Sequence, residues 1–235
     1  MTNAAIAPVR PAGARRRPVR RLAIFDLDRT LVPGSSLLAL GRALADRHLI
    51  DRALVARHAL RAAVFARRGL PDGRIEGVRR CVLAAAADRD RDQVASVARE
   101  VGGDIAAGAY PAARWLLERH RAAGDRCVVL SASPQELVES VGAALGAHEA
   151  IGTRAEVVHG RFTGRLDGPF CHGPGKLERL RHELGPVDLG AAVAYADSGS
   201  DLPLLTACGH PVAVNPDRRL RAAAAAGRWP VLRLA

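Results

Sequence analysis

Three observations predict an α/β fold, with a mostly parallel sheet flanked by helices and an all-helical insert after the first strand. Short apolar runs alternate with helical stretches over the chain, the pattern of strands joined by crossover helices. Three of those runs stop abruptly at polar groups: Asp26-Leu27-Asp28, Ser131 and Asp197. Between the first run and the next, Ser36 to about Gly108, the periodicity is helical throughout and no strand pattern interrupts it.

The elements follow in order. Residues 1–20 carry Pro8, Pro11, Gly13, Pro18 and the Arg15-Arg16-Arg17 run, and read as a disordered basic tail. Leu22 to Phe25 is a buried strand ending in the two aspartates. Continued through Asp28, it leans Asp26 and Asp28 to one side with Leu27 opposed. By itself the stretch fits an active site and a strand running into an acidic turn equally well.

Within the insert, Leu37, Leu38, Leu40 and Leu44 form one helical face, and Leu54, Leu60, Val64 and Phe65 another. Residues 69–74 read as a turn, with helices at about 75–87 and 90–107. Tyr110-Pro111 opens a helix over 112–122 that stops near Gly124. A strand over 126–130 runs into Ser131-Ala132-Ser133-Pro134, and a helix over 134–145 follows. Residues 148–165 alternate in short strand-like pieces broken at Gly152, Gly160 and Gly164. The loop Cys171-His172-Gly173-Pro174-Gly175 leads into a helix over 176–184. A strand over 191–196 ends in Asp197-Ser198-Gly199-Ser200-Asp201 and a short helix. A strand over 211–215, a helix over 218–226 and a last strand over 231–234 complete the chain.

The 235 residues suffice for a sizeable core, and with only 3% aromatics it must be built of Ala, Leu and Val. The net charge of +11 raises nucleic acid or an anionic membrane as partners. Six arginines with no acid fall in residues 1–21, however, and the rest are interspersed with Asp and Glu as on solvated helix faces. No zinc-finger spacing or RNA-binding aromatic pattern is present, so nucleic acid is not the expected partner. Four scattered cysteines without CxxC speak against a disulfide framework and for a reducing, cytoplasmic location. No apolar run is long enough to span a bilayer, and the basic N-terminus lacks a signal peptide's apolar region.

Lys176 is the only lysine among 35 cationic residues. A chain that uses Arg wherever a generic cation suffices has kept a compact ammonium here, which acts as a point charge. In a parallel sheet, Asp26, Asp28, Ser131, Asp197 and Asp201 fall along one carboxyl edge. Up to four carboxylates there repel one another unless a cation sits among them. Hard oxygen donors without His or Cys favour Mg²⁺. Acids, a divalent cation, a hydroxyl, a lysine and helix N-termini are the parts of a phosphoryl-transfer site. No GxxxxGK[ST] is present, so an ATP-cradling loop is not expected.

With these residues in place, the chain resembles the haloacid dehalogenase-like phosphohydrolases, in the subgroup with the phosphoserine phosphatases (subfamily IB). The resemblance covers about residues 22–215 and rests on Asp26-Leu27-Asp28-Arg29-Thr30, Ser131 after an apolar strand, Lys176 before a helix, and Asp197-Ser198-Gly199-Ser200-Asp201. It implies a Rossmann-like three-layer α/β/α core, residues 21–35 and 109–235, and a C1-type helical cap, residues 36–108. It further implies that Asp26 is the nucleophile that becomes an aspartyl-phosphate, and Asp28 the general acid and then base. The same resemblance implies that Mg²⁺ is bound by Asp26, the backbone carbonyl of Asp28 and Asp197, with Asp201 helping directly or through water. Ser131 and Lys176 hold phosphoryl oxygens, and Thr30 hydrogen-bonds within the same loop.

The glutamate that recognises the amino group in phosphoserine phosphatases is matched here by Ser35, a neutral hydroxyl. This puts phosphoserine in doubt and leaves a small phosphomonoester as the expected substrate. Arg79 and Arg80 of the insert are candidates for a second anionic group of the substrate, against an alternative role in surface ion pairs. The alternatives are a phosphotransferase with the same intermediate, phosphoserine phosphatase proper, and a silent basic protein on nucleic acid or membrane. The oligomeric state is not legible in the sequence.

Overall fold

The computed structural model describes residues 21–53, 55–56 and 72–234. The basic tail, the Leu54, Leu60, Val64 and Phe65 face, and the first part of the turn expected at 69–74 lie outside the described residues.

Six strands form one sheet in the order β3-β2-β1-β6-β7-β8, every pairing parallel. They are β1 Leu22–Phe25, β2 Arg126–Pro134, β3 Glu149–Thr153, β6 Val193–Ala196, β7 His210–Val214 and β8 Val231–Leu232. β4 Ala155–Val158 and β5 Arg161–Leu166 make a separate antiparallel hairpin. The central strand β1 is buried on both faces and alternates between two cores. Ala23 and Phe25 face one, with residues of α1 Ser36–Asp46, α3 Arg91–Ala107, α4 Pro111–Ala122 and α5 Gln135–Leu145. Leu22 and Ile24 face the other, with α6 Pro174–Leu184, α7 Leu202–Ala207 and α8 Arg218–Gly227. The alternation of elements predicts this parallel sheet flanked by helices, and the family resemblance its three-layer α/β/α arrangement.

Local chemistry sets the helix ends. Ser35, extended at φ −125°, opens α1 and its hydroxyl accepts from Leu38 N–H. Asp90 accepts from Gln93 N–H at the start of α3, and Asp217 from Leu220 N–H at the start of α8. Pro111 leads α4, and Arg119, His120 and Arg121 complement its C-terminal dipole. In the region expected to be all-helical, α1, α2 Asp72–Ala86 and α3 are helices, and α2 starts inside the expected turn. The α1 and α3 residues Leu40, Leu44, Val97, Ala98 and Ala106 share the buried cluster of β1, β2 and α5. Among the described residues, no helix is long and apolar enough to cross a membrane.

Two local departures bear on the site. The β1 ladder stops at Phe25, so strand alternation does not carry through to Asp28. Residues 26–32 instead close a tight turn in which Leu31 and Val32 N–H both donate to Leu27 O. β2 runs on to Pro134, but its register against β3 shifts between Leu130 and Pro134, freeing Ser131, Ala132 and Ser133 from regular pairing. Gly152 permits this, since a Cβ there would lie 2.8 Å from Ser133 O.

Candidate active site

The strand ends converge as the sheet order requires. Phe25 is in register with Val129 of β2 and Tyr195 of β6, so Asp26, Ser131 and Asp197 emerge side by side at the carboxyl edge. Asp26 N–H donates to Tyr195 O at 2.9 Å, which fastens the aspartate to β6. One oxygen each of Asp26, Asp197 and Asp201 fall within 4.8 Å of one another, and all three residues are buried. Asp201 is delivered by the single 3₁₀ turn Gly199–Asp201, packed against α8.

Lys176 enters from the first turn of α6, whose N-cap Gly173 ends the preceding loop at φ 56°. Its Nζ donates to Asp26 Oδ1 at 2.5 Å and to Asp201 Oδ2 at 2.9 Å. Burial on its own lowers an ammonium's pKa, but the Asp201 and Asp26 carboxylates outweigh it and hold Lys176 above its ordinary value. The lone lysine is therefore charged at any ordinary pH.

The acids are also raised, which for a carboxyl favours the neutral form. Burial raises Asp28 to about 6, against hydrogen bonds from Ser36 that pull it down. Asp197 is pushed up to about 8 by burial and by Asp26, with Arg29 opposing. Asp201 is raised to about 6 by burial, with Lys176 opposing. One ammonium does not neutralise three buried carboxylates. Arg29 Nη2 lies 2.6 Å from Asp197 Oδ2, but off the hydrogen-bonding direction. That oxygen and Asp201 Oδ1 are buried with no hydrogen-bond partner among the described residues. Unsatisfied hard oxygens and surplus negative charge suit a small divalent cation, and the donor set fits Mg²⁺.

The other expected residues are placed as follows. Asp28 is partly buried, and its Oδ1 accepts from Ser36 N–H at 2.9 Å. Ser131 is buried and its hydroxyl accepts from Ser133 N–H at 3.2 Å. Thr30 is buried, but its hydroxyl makes no hydrogen bond within the loop, contrary to expectation. The turn is closed by backbone groups instead, and Thr30 contributes its N–H to Leu27 O. Ser35 is exposed and its hydroxyl is occupied in capping α1. Arg80 is exposed. Arg79 pairs with Glu76 on its own helix and lies 5.7 Å over the Phe170 ring, touching the loop that leads to Lys176. His172 of that loop stacks on Phe170.

Several residues of the site carried little or no local signal. Asn215, just past β7, donates from Nδ2 to Arg29 O at 2.9 Å. Asp217, which caps α8 through Oδ1, also accepts at Oδ2 from Gly199 N–H and from the Ser198 hydroxyl, and so orients the turn that delivers Asp201. Arg179, one turn after Lys176 and fully buried, donates to Pro169 O at 3.2 Å and to Asp167 O, bracing the preceding loop. Behind β1, Tyr195 stacks on Phe25 at 4.8 Å and hydrogen-bonds His120 at 2.8 Å, which pairs with Asp125. A strand-terminal Asn at the shared edge is the one signal that the sequence offered for Asn215.

A parallel α/β sheet with a buried acid and lysine cluster at its carboxyl edge defines the class of a phosphoryl-handling enzyme. The haloacid dehalogenase-like hydrolase family model matches residues 23–206, and the chain belongs to that family. It is similar to phosphoserine phosphatase SerB1 of Mycobacterium tuberculosis, 36% identical over 232 residues, 96% of this chain and 75% of that protein. Histidinol-phosphatase of Neisseria meningitidis is 33% identical over 221 residues, 91% of this chain and 99% of that protein. A Bordetella pertussis protein of unknown function has a crystal structure that superposes with a TM-score of 0.79, at 31% identity over 92% of this chain and all of the other (100%). The chain is thus a phosphohydrolase of the haloacid dehalogenase-like family.

Proposed function

We propose that the protein is a Mg²⁺-dependent phosphatase that hydrolyses a small phosphomonoester through a phosphoryl group carried on Asp26. The observation that carries this reading is the bond of Lys176 to both Asp26 and Asp201, buried beside Asp197 with two carboxylate oxygens unsatisfied.

Asp26, Asp197, Asp201 and the backbone carbonyl of Asp28 would hold the cation, which supplies positive charge against the phosphoryl oxygens. Lys176 and Ser131 take further phosphoryl oxygens, with Thr30 assigned beside them. Lys176 also donates to Asp26 Oδ1 and so orients the carboxylate that attacks. Asp26 Oδ bonds to phosphorus as the bond to the leaving oxygen breaks, and Asp28 gives that oxygen its proton. Asp28, now a carboxylate, takes a proton from water as the water oxygen attacks phosphorus and the bond to Asp26 breaks. A carboxyl whose pKa is raised to about 6 is suited to both roles near neutral pH. Four free cysteines, three of them buried, support a cytoplasmic setting.

The relatives named for phosphoserine and histidinol phosphate supply the first substrates to try. The capping role of Ser35 supports a substrate whose amino group is not read by a charge at that position. The test is phosphate release from a panel of phosphomonoesters with Mg²⁺. Asp26→Asn should abolish it, and acid quenching of the wild type should leave a phosphoryl increment on the peptide containing Asp26. Substantial release by the Asn variant, or an unmodified peptide during turnover, overturns the reading. Transfer to added alcohols in preference to water would reassign the enzyme as a phosphotransferase.

A further inference from the structure

Ser36 and Ser133 are both buried, and their hydroxyl oxygens are 2.7 Å apart although 97 residues separate them. Burying two hydroxyls costs free energy unless they bond, and small apolar residues fill the same space without that cost. Neither hydroxyl is needed to cap a helix. Ser35 already caps α1, and α5 follows the N-cap Pro134 with no side-chain cap. Each serine is instead bound to a residue of the site. Ser36 N–H donates to Asp28 Oδ1 at 2.9 Å, and Ser133 N–H donates to Ser131 Oγ at 3.2 Å. One continuous path therefore joins the acid, the first residue of α1, the irregular end of β2 and the expected phosphate-binding serine.

We infer that Ser36 and Ser133 are positioning residues: their hydroxyl pair sets where the Asp28 carboxyl stands relative to the phosphoryl group bound at Ser131. This rests on the assignment of Asp28 as general acid. Asp28 lies on a turn that no regular strand pairing fixes, whereas Ser131 follows a buried strand. The hydroxyl pair fastens the first to the second. It also ties the acid to the start of α1, the helix that opens the long insert.

The role makes a specific prediction, because a general acid matters only when the leaving group is poor. The value of kcat/KM reports the steps up to leaving-group release, so it isolates this role from the later attack of water. Ser36→Ala and Ser133→Ala each keep the backbone N–H donors and break the hydroxyl pair, and Ser36→Ala also removes the Ser36 side-chain hydrogen bond to Asp28. Each should lower kcat/KM for an alkyl phosphate by about tenfold or more, and for p-nitrophenyl phosphate by less than about threefold. If the two act as one unit, the double variant loses no more than about the worse single variant does. Thermal melting checks that all variants fold. Equal losses on both substrates, or additive losses in the double variant, overturn the positioning role. Asp28→Asn separates this from the underlying assignment. If it shows the same selectivity for poor leaving groups and the serine variants do not, only the serine pair fails. If it shows none, the general-acid assignment itself fails.

Discussion

Asn215 Nδ2 donates to the carbonyl oxygen of Arg29 at 2.9 Å, across 186 residues of sequence. Both residues stand at positive φ, 42° and 59°, so the bond joins two tightly bent pieces of chain. Asn215 Oδ1 meanwhile accepts from Leu234 N–H. The turn carrying Asp26 and Asp28 is thereby pinned to the end of β7. Asn215→Asp keeps the acceptor and loses the donor, and Asn215→Ala loses both. Each should cost about 1 kcal/mol or more in unfolding experiments. Phosphate release should fall with either variant, because the common loss is the hold on the turn. Retention of full activity by both would show that the turn needs no such support.

Arg29 stands beside the acids proposed to hold the metal. Its guanidinium is 2.6 Å from Asp197 Oδ2, half exposed, and repels any cation placed among the acids. Arg29→Met should lower the Mg²⁺ concentration that gives half-maximal activity, by several-fold. It should also reduce the stability of the metal-free protein, in which Asp197 loses its partner. A metal titration of both proteins decides the first point, and melting in chelator the second. An unchanged or higher Mg²⁺ requirement in the variant would count against the shared site.

Lys176 holds two buried acids at once. Lys176→Met leaves Asp26 and Asp201 without their counter-charge, and one-sided loss of a buried ion pair costs about 3–5 kcal/mol. The metal-free variant should melt at markedly lower temperature, with partial recovery in Mg²⁺. Lys176→Arg keeps the charge but replaces a compact ammonium with a planar fork. Activity should therefore fall by about a hundredfold or more even where stability recovers. Near-wild-type turnover in the arginine variant would contradict the reason given for the single lysine.

Metal binding and pH should be coupled with a definite sign. Asp28 and Asp201 are raised to about 6, and Asp197 to about 8, all above the usual 3.8. The folded metal-free protein thus binds more protons than the unfolded chain. Stability from these groups falls as pH rises from about 4, levelling near 6 for the first two and near 8 for Asp197. A cation requires the carboxylates ionised, so its binding releases protons and strengthens with pH. The melting-temperature gain on adding Mg²⁺ should accordingly widen between pH 6 and pH 8. A gain independent of pH would mean that the ion binds elsewhere.

The periodicity of the chain sufficed for the α/β class, the order of its elements and the edge at which they converge, since alternation and helical spacing are local properties. The lone lysine and the acids after β1 and β6 were conspicuous for the same reason: an ionisable residue where an apolar run stops is visible without any knowledge of contacts. Tertiary structure alone decided the partners. That Ser36 meets Ser133, that Asn215 reaches Arg29 and that Asp217 orients the Gly199 turn depend on strands brought together by the β3-β2-β1-β6-β7-β8 order. It also decided that the strand alternation does not carry through to Asp28 and that Thr30 has no loop hydrogen bond, because turn geometry depends on which carbonyls the backbone has already used. The raised acids are the same case: their pKa values follow from burial among one another, and burial is a property of the packed chain.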